Sequence, residues 1–269
     1  MNNLTTTENH VNFVQQGEGA PVICIHGLAA SLFDWADLLP ALASNGYAGY
    51  ALDLLGHGAS YKPANLNEYH IDQVFDHFAS WLQRLGLASP LILVGHSLGG
   101  YLAMEYALRN PNRVRALVLG NPFYSLQQLP PLLRIRYKGP LLNTELIERT
   151  PQWAIRMAID FTSLSIRNGY LLPEKVRQQT ALDYKRAHPG IFNIPSTIRD
   201  LLPLAPRLHM PSLVIWGSRD QTLAPGSFTK LAACLPNAQT AIIKAGHVPH
   251  QSHAEEFNRH VLAFLQSIR

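Results

Sequence analysis

Leu91-Ile92-Leu93-Val94-Gly95-His96-Ser97-Leu98-Gly99-Gly100 decides the fold. Leu91 to Val94 is a continuous apolar run of strand length, and Leu98 to Leu108 has helical spacing up to the stop signal Asn110-Pro111. Between them lies G-x-S-x-G, Gly95 to Gly99, in the strand–turn–helix setting that gives this pattern meaning. A serine on so sharp a turn sits in a strained backbone with its hydroxyl pointing outward. Side chains two residues to either side would clash, hence glycine at 95 and 99. The turn also sets the Leu98 N–H at a helix N-terminus, facing any negative charge that develops beside Ser97.

Outward from that turn, strand and helix signals alternate. Val22 to Ile25 is a β-branched run ending in His26-Gly27. An amphipathic stretch from Leu32 to Ala43 stops at Asn45-Gly46, and Tyr47 to Leu52 reads as a strand. Tyr69 to Leu85 has helical spacing, and Val114 to Leu119 is another buried strand. The alternation resumes with the strand Leu213 to Trp216, a helix near Ser227 to Cys234, the strand Thr240 to Ile243 and a last helix from Ala254 to Ile268. Short apolar strands between amphipathic helices imply a parallel sheet covered on both faces, an α/β fold. From Phe123 to about Pro206 there is no clear strand, only helix-like pieces and several prolines. The expected division is a core of residues 1–122 and 207–269 interrupted by a helical cap at 123–206.

A serine hydroxyl is a poor nucleophile near neutral pH. It needs a base and a group that holds the base. His247, in Ala245-Gly246-His247, follows the last strand, and Asp220, in Trp216-Gly217-Ser218-Arg219-Asp220, follows the strand before it. Carboxyl ends of parallel strands share one sheet edge, so Ser97, Asp220 and His247 are expected to converge there. His57 and His96 read as structural. Asn121 follows a strand at the same edge but, as an amide, cannot replace a carboxylate. His247, His250 and His253 have spacing that could serve a metal, but no carboxylate or cysteine cluster accompanies them, so no metal is expected. The expected oxyanion donors are the backbone N–H groups of Leu98 and Leu28.

These motifs together resemble the α/β-hydrolase superfamily, in particular its small members with a helical cap. His26-Gly27-Leu28-Ala29-Ala30-Ser31 with Trp35 looks like the family's oxyanion loop. Asp53 to Ser60 looks like its D-x-x-G-x-G-x-S turn, and Gly95 to Gly100 like its nucleophile elbow. The resemblance implies a mostly parallel sheet of about eight strands flanked by helices, the first strands near Val11 to Gln15, with 123–206 as the cap. It implies a serine hydrolase that cleaves a small carboxylic ester through an acyl-enzyme. Ser97 argues against the dehalogenase and epoxide hydrolase relatives, which use aspartate. Ser252 and Ala254 stand where the family often has Glu and Pro. A carbon–carbon hydrolase, a lyase or a ligand-binding protein on the same fold are the alternatives.

Composition agrees. The 269 residues are 47% hydrophobic and 15% charged, enough apolar chain for a large core. Net charge is +4, but Lys and Arg are scattered, so a nucleic-acid partner is not expected. No apolar stretch has the length of a membrane span and the first residues lack the pattern of a signal peptide, so the expected location is the cytoplasm. Cys24 and Cys234 are expected to be buried thiols. No cofactor is expected, and the partner is a small-molecule substrate of unknown pocket. Phe123, Leu132, Leu133, Trp153, Met157 and Phe161 are read as the cap's own core, with pocket lining as the alternative.

Overall fold

The computed structural model describes residues 9–88, 90–131, 134, 150–155, 157 and 172–268. Seven strands form one sheet among them: β1 (Phe13–Gln16), β2 (Ala20–Ile25), β3 (Tyr47–Leu52), β4 (Leu91–His96), β5 (Val114–Gly120), β6 (Ser212–Gly217) and β7 (Ala238–Ile243). Their order is β1-β3-β2-β4-β5-β6-β7. All neighbours are parallel except β1, which runs antiparallel to β3. Eight strands were expected. Only β1 precedes β2 among the described residues, all four of its residues are exposed, and residues 1–8 lie outside the described chain.

The central strands are buried along almost their whole length, as strands with helices on both faces must be. Side chains alternate between two cores. Val22, Cys24, Ile92, Val94 and Ile215 face one layer with Trp35, Leu42 and Phe257. Ile23, Ile25, Leu93, Leu117 and Val214 face the other with Phe78, Trp81 and Leu102. The first layer is built by α1 (Leu38–Ala43) and α7 (Ala254–Ser267). The second is built by α2 (Ile71–Leu85), α3 (Leu98–Arg109) and α5 (Pro225–Cys234). In chain order, α4 (Glu174–Arg186) lies in the excursion between β5 and β6, and α6 (Pro249–Ser252) just precedes α7. The helix expected over Leu32 to Ala43 is split. A 3₁₀ turn over Leu32–Trp35, with the Ser31 hydroxyl accepting from the Phe33 N–H, precedes α1. Cys24 is fully buried, but Cys234 is only half-buried, and both thiols are free.

Between β5 and β6 the described residues contain α4 and 3₁₀ segments at Leu126–Gln128, Pro189–Thr197 and Leu202–Arg207, and no strand. Leu132, Leu133 and Phe161 lie outside the described residues. Phe123 is buried as expected. Trp153 and Met157 are 66% and 62% exposed, so they do not form a core there. Their helical turn turns these apolar side chains outward.

Candidate active site

The elbow has the strain its sequence requires. Ser97 has φ +50°, a region that non-glycine residues avoid. Its N–H donates to Gly120 O at 3.0 Å. Its carbonyl accepts from Gly100 N (2.9 Å), Tyr101 N (3.2 Å) and Phe123 N (3.0 Å), so the surroundings over-determine the conformation. A Cβ on Gly95 would lie 2.3 Å from Gly99 O, and one on Gly99 would lie 2.0 Å from Ile25 O. Leu98 is the first residue of α3, as expected, and its N–H stands at the positive end of the helix.

Asp220 and His247 meet across the ends of β6 and β7. His247 Nδ1 lies 2.8 Å from Asp220 Oδ2. The same oxygen accepts from Asn121 Nδ2 at 2.6 Å, and Oδ1 accepts from the N–H groups of Thr222 (2.8 Å) and Leu223 (3.0 Å). Burial pushes the Asp220 carboxyl up, but the attraction of His247 and these hydrogen bonds outweigh it and hold the group below the usual carboxylate value. The Nδ1–H of His247 therefore donates to a carboxylate, which leaves Nε2 free as a base. Asn121 is more than a failed acid. Its amide also accepts from Gly217 N at 3.3 Å and so bridges β5 to β6. Its place just past the end of β5 carries no sequence signal for this.

Ser97 Oγ and the His247 ring are not hydrogen-bonded among the described residues. Their segments are joined one residue away, where His96 Nε2–H donates to His247 O at 2.8 Å. The His96 and His247 rings lie 4.9 Å apart. Serine–base contacts often close only when substrate is present.

The Leu28 side of the site is held by a bracket. A Cβ on Gly27 would stand 3.3 Å from Ser97 Cβ, so the backbone leading to Leu28 passes directly beside the serine. His57 Nε2 accepts from Ala29 N at 3.1 Å and His26 Nε2 accepts from Leu54 N at 3.0 Å. The other nitrogen of each ring donates to a carbonyl, Leu55 O (2.9 Å) and Gly27 O (2.7 Å). Burial lowers the His57 pKa, and His26 lowers it further, so His57 stays neutral and its lone pair stays available. Asp53 accepts from Leu32 N, Ala59 N and Asn12 Nδ2, each at 2.8 Å. The structural readings of His57 and of the Asp53–Ser60 turn thus have a physical content: they fix the loop that carries Leu28.

Two features escaped the sequence. Asp183, on α4, is 1% exposed and faces Ser31 and Gln179. Burial raises its pKa to about 7, and the Asp34 and Asp53 carboxylates add to the rise against those hydrogen bonds. Asp34, His96 and His250 form a buried group whose potential ligand atoms all lie within 4.8 Å of one another. The group differs from the His247, His250 and His253 spacing, which was not expected to hold a metal. His253 instead has its Nδ1 at 3.0 Å from Ser252 Oγ. The carboxylate missing from that local pattern is supplied by residue 34.

The model of the α/β-hydrolase fold matches residues 20–254. The chain belongs to the α/β-hydrolase fold family. Among its relatives, a bifunctional epoxide hydrolase 2 of Sus scrofa is 33% identical over 192 residues, 71% of this chain but 32% of that protein. The chain thus spans about a third of that relative's length. The 2-hydroxy-6-oxo-6-(2'-aminophenyl)hexa-2,4-dienoic acid hydrolase of Metapseudomonas resinovorans is 26% identical over 265 residues, 94% of this chain and 86% of that protein. The same fold occurs in a malate-bound thermophilic esterase from Thermogutta terrifontis (TM-score 0.76, 23% identity, 96% and 93% of the two chains). It also occurs in the enol-lactonase from Burkholderia xenovorans LB400 (TM-score 0.78, 22% identity, 95% and 96%). No helix among the described residues is long and apolar enough to cross a membrane.

Proposed function

We propose that this hydrolase cleaves small carboxylic esters through an acyl-enzyme on Ser97, with His247 as base and Asp220 as its orienter. The observation that carries the reading is the 2.8 Å contact of His247 Nδ1 with a four-times-bonded Asp220 at the edge where the strained Ser97 stands. Ser97 Oγ attacks the carbonyl carbon while its proton passes to His247 Nε2. The N–H groups of Leu28 and Leu98 stabilise the oxyanion. The C–O bond breaks and the alcohol leaves with the proton from His247. Water then attacks the acyl-enzyme and gives its proton to His247, which returns one to Ser97 as the acid departs.

Residues 123–206 act as the cap over this site in the same reading, and Asp183 brings a carboxyl from that segment to the oxyanion side. Free Cys24 and Cys234 suit a reducing cytoplasm. Ser97 disfavours epoxide opening despite the epoxide hydrolase relatives, since the resemblance associates that chemistry with aspartate. The likeness to a carbon–carbon hydrolase over 94% of the chain supports that reaction as a second reading. Hydrolysis of p-nitrophenyl esters of increasing acyl length, wild type against Ser97→Ala, tests the proposal. Ser97→Ala is expected to lose about 10⁴-fold in kcat. Equal and slow rates in both proteins on every ester would remove the esterase reading and turn the search to carbon–carbon substrates.

A further inference from the structure

We propose that Asp34, His96 and His250 bind one divalent cation of the zinc class, buried behind His247. His250 Nε2 lies 3.4 Å from Asp34 Oδ2, and His96 Nδ1 lies 3.9 Å from the same oxygen. Ligands about 2.0–2.1 Å from a tetrahedral ion stand roughly 3.4 Å from one another. One edge already has that spacing, and the other two are no more than 4.8 Å.

The polar atoms facing this point lack other partners. Asp34 Oδ2, His96 Nδ1 and His250 Nε2 have no hydrogen bond. The three residues are 6%, 4% and 2% exposed, so bulk water does not serve them. Buried polar atoms left this way are costly, and three in one place call for an occupant. A proton shared between His250 and Asp34 answers one contact and leaves His96 Nδ1 unmet. A single cation answers all three residues at once.

The surroundings are those of a metal site. The N–H of a ligating histidine is usually donated to a carbonyl or carboxylate, which fixes the tautomer. His96 Nε2–H donates to His247 O at 2.8 Å, which keeps the Nδ1 lone pair on the side of Asp34. The other oxygen of Asp34 accepts from Gln251 Nε2 at 2.8 Å. Two imidazoles and one carboxylate favour zinc over magnesium or calcium, which prefer oxygen. The ligands come from the 3₁₀ turn after the Leu28 loop, from the residue before Ser97, and from α6, three residues past His247. The ion would tie together the three segments around the serine.

The test uses the full chain without an affinity tag, treated with chelator and then dialysed against Zn²⁺ or Mg²⁺. Metal content is read by mass spectrometry after gel filtration. One Zn²⁺ and no Mg²⁺ per wild-type chain is expected. His250→Gln and Asp34→Asn should each weaken Zn²⁺ binding by at least about tenfold, while His209→Gln, at an exposed histidine, should leave it unchanged. If one variant fails to fold, the other still decides. A Zn²⁺-dependent rise in the melting temperature of wild type, absent from the surviving variant, is the second readout. Less than half an equivalent in wild type, or equal content in wild type and both variants, overturns the proposal and assigns the pocket to water or the ion to surface histidines. None of these readings depends on Ser97 or on ester hydrolysis.

Discussion

Two pairs of buried histidines stand at the carboxyl edge of the sheet, His26 with His57 and His96 with His250. In both pairs the rings are close, with centroids 5.0 Å and 4.2 Å apart, and in both a buried aspartate lies beside them. The first set is saturated. Each of the four ring nitrogens of His26 and His57 has a partner, and both oxygens of Asp53 accept hydrogen bonds. The second set leaves four atoms unpaired. The same residue types therefore do two jobs. Where every valence is used by backbone, the group is a bracket. Where valences remain, the group is shaped to receive something.

Substitution separates the two. Replacing Asp53 with Leu and His57 with Phe strands the N–H groups of the buried Leu32 and Ala29 and of the exposed Ala59. We expect a loss of about 4 kcal/mol, read from urea unfolding of metal-free protein. A loss under about 1 kcal/mol would break the comparison.

Asp183 sharpens it, as a buried carboxyl with few partners. Its folded pKa is raised to about 7, so the folded chain keeps a proton that the unfolded chain has already lost. Stability should fall as pH rises from the usual carboxylate range through about 7, and then level off. Asp183→Asn should remove that slope and gain roughly 2 kcal/mol on wild type between about pH 5 and about pH 8. Parallel pH curves for the two proteins would show that Asp183 ionises normally. Asp220 has the opposite sign: its depressed pKa gives stability that is lost only as pH falls below the usual carboxylate range.

The smallest effect belongs to the second histidine set. Asp34→Leu combined with His250→Phe removes both sides of an unsatisfied group next to Trp35 and Phe257, and should change metal-free stability by less than about 1 kcal/mol. A loss as large as that at Asp53 and His57 would mean that the second set is a finished bracket too.

The contrast also explains what the sequence could reveal. The central strands and the elbow are local signals: unbroken apolar runs at Leu91 to Val94 and Val114 to Leu119, and glycines at fixed distance from Ser97. Asp220 and His247 were legible because each follows a strand and strand ends share an edge. The Asp34, His96 and His250 group has members 62 and 154 positions apart, brought together only by packing, so local metal-ligand spacing points to His253 and carries no sign of Asp34. The break between Leu32–Trp35 and α1 was hidden because the apolar spacing runs on through it while Ser31 caps a 3₁₀ turn. Asp183 has no pattern at all; its character comes from burial against Ser31.

The Phe123 N–H that grips the Ser97 carbonyl has a consequence for how this architecture can be recombined. The segment between β5 and β6 begins with a fixed collar: Phe123 on Ser97, Tyr124 N on Gln128 Oε1 at 2.6 Å, and Leu201 N on Tyr124 O at 3.0 Å. Foreign loops spliced in before Gln128 would release the serine's own peptide, whereas loops spliced between Leu129 and Asp200 would leave the collar closed. The seam for exchanging modules thus lies past the collar, several residues beyond the end of the strand.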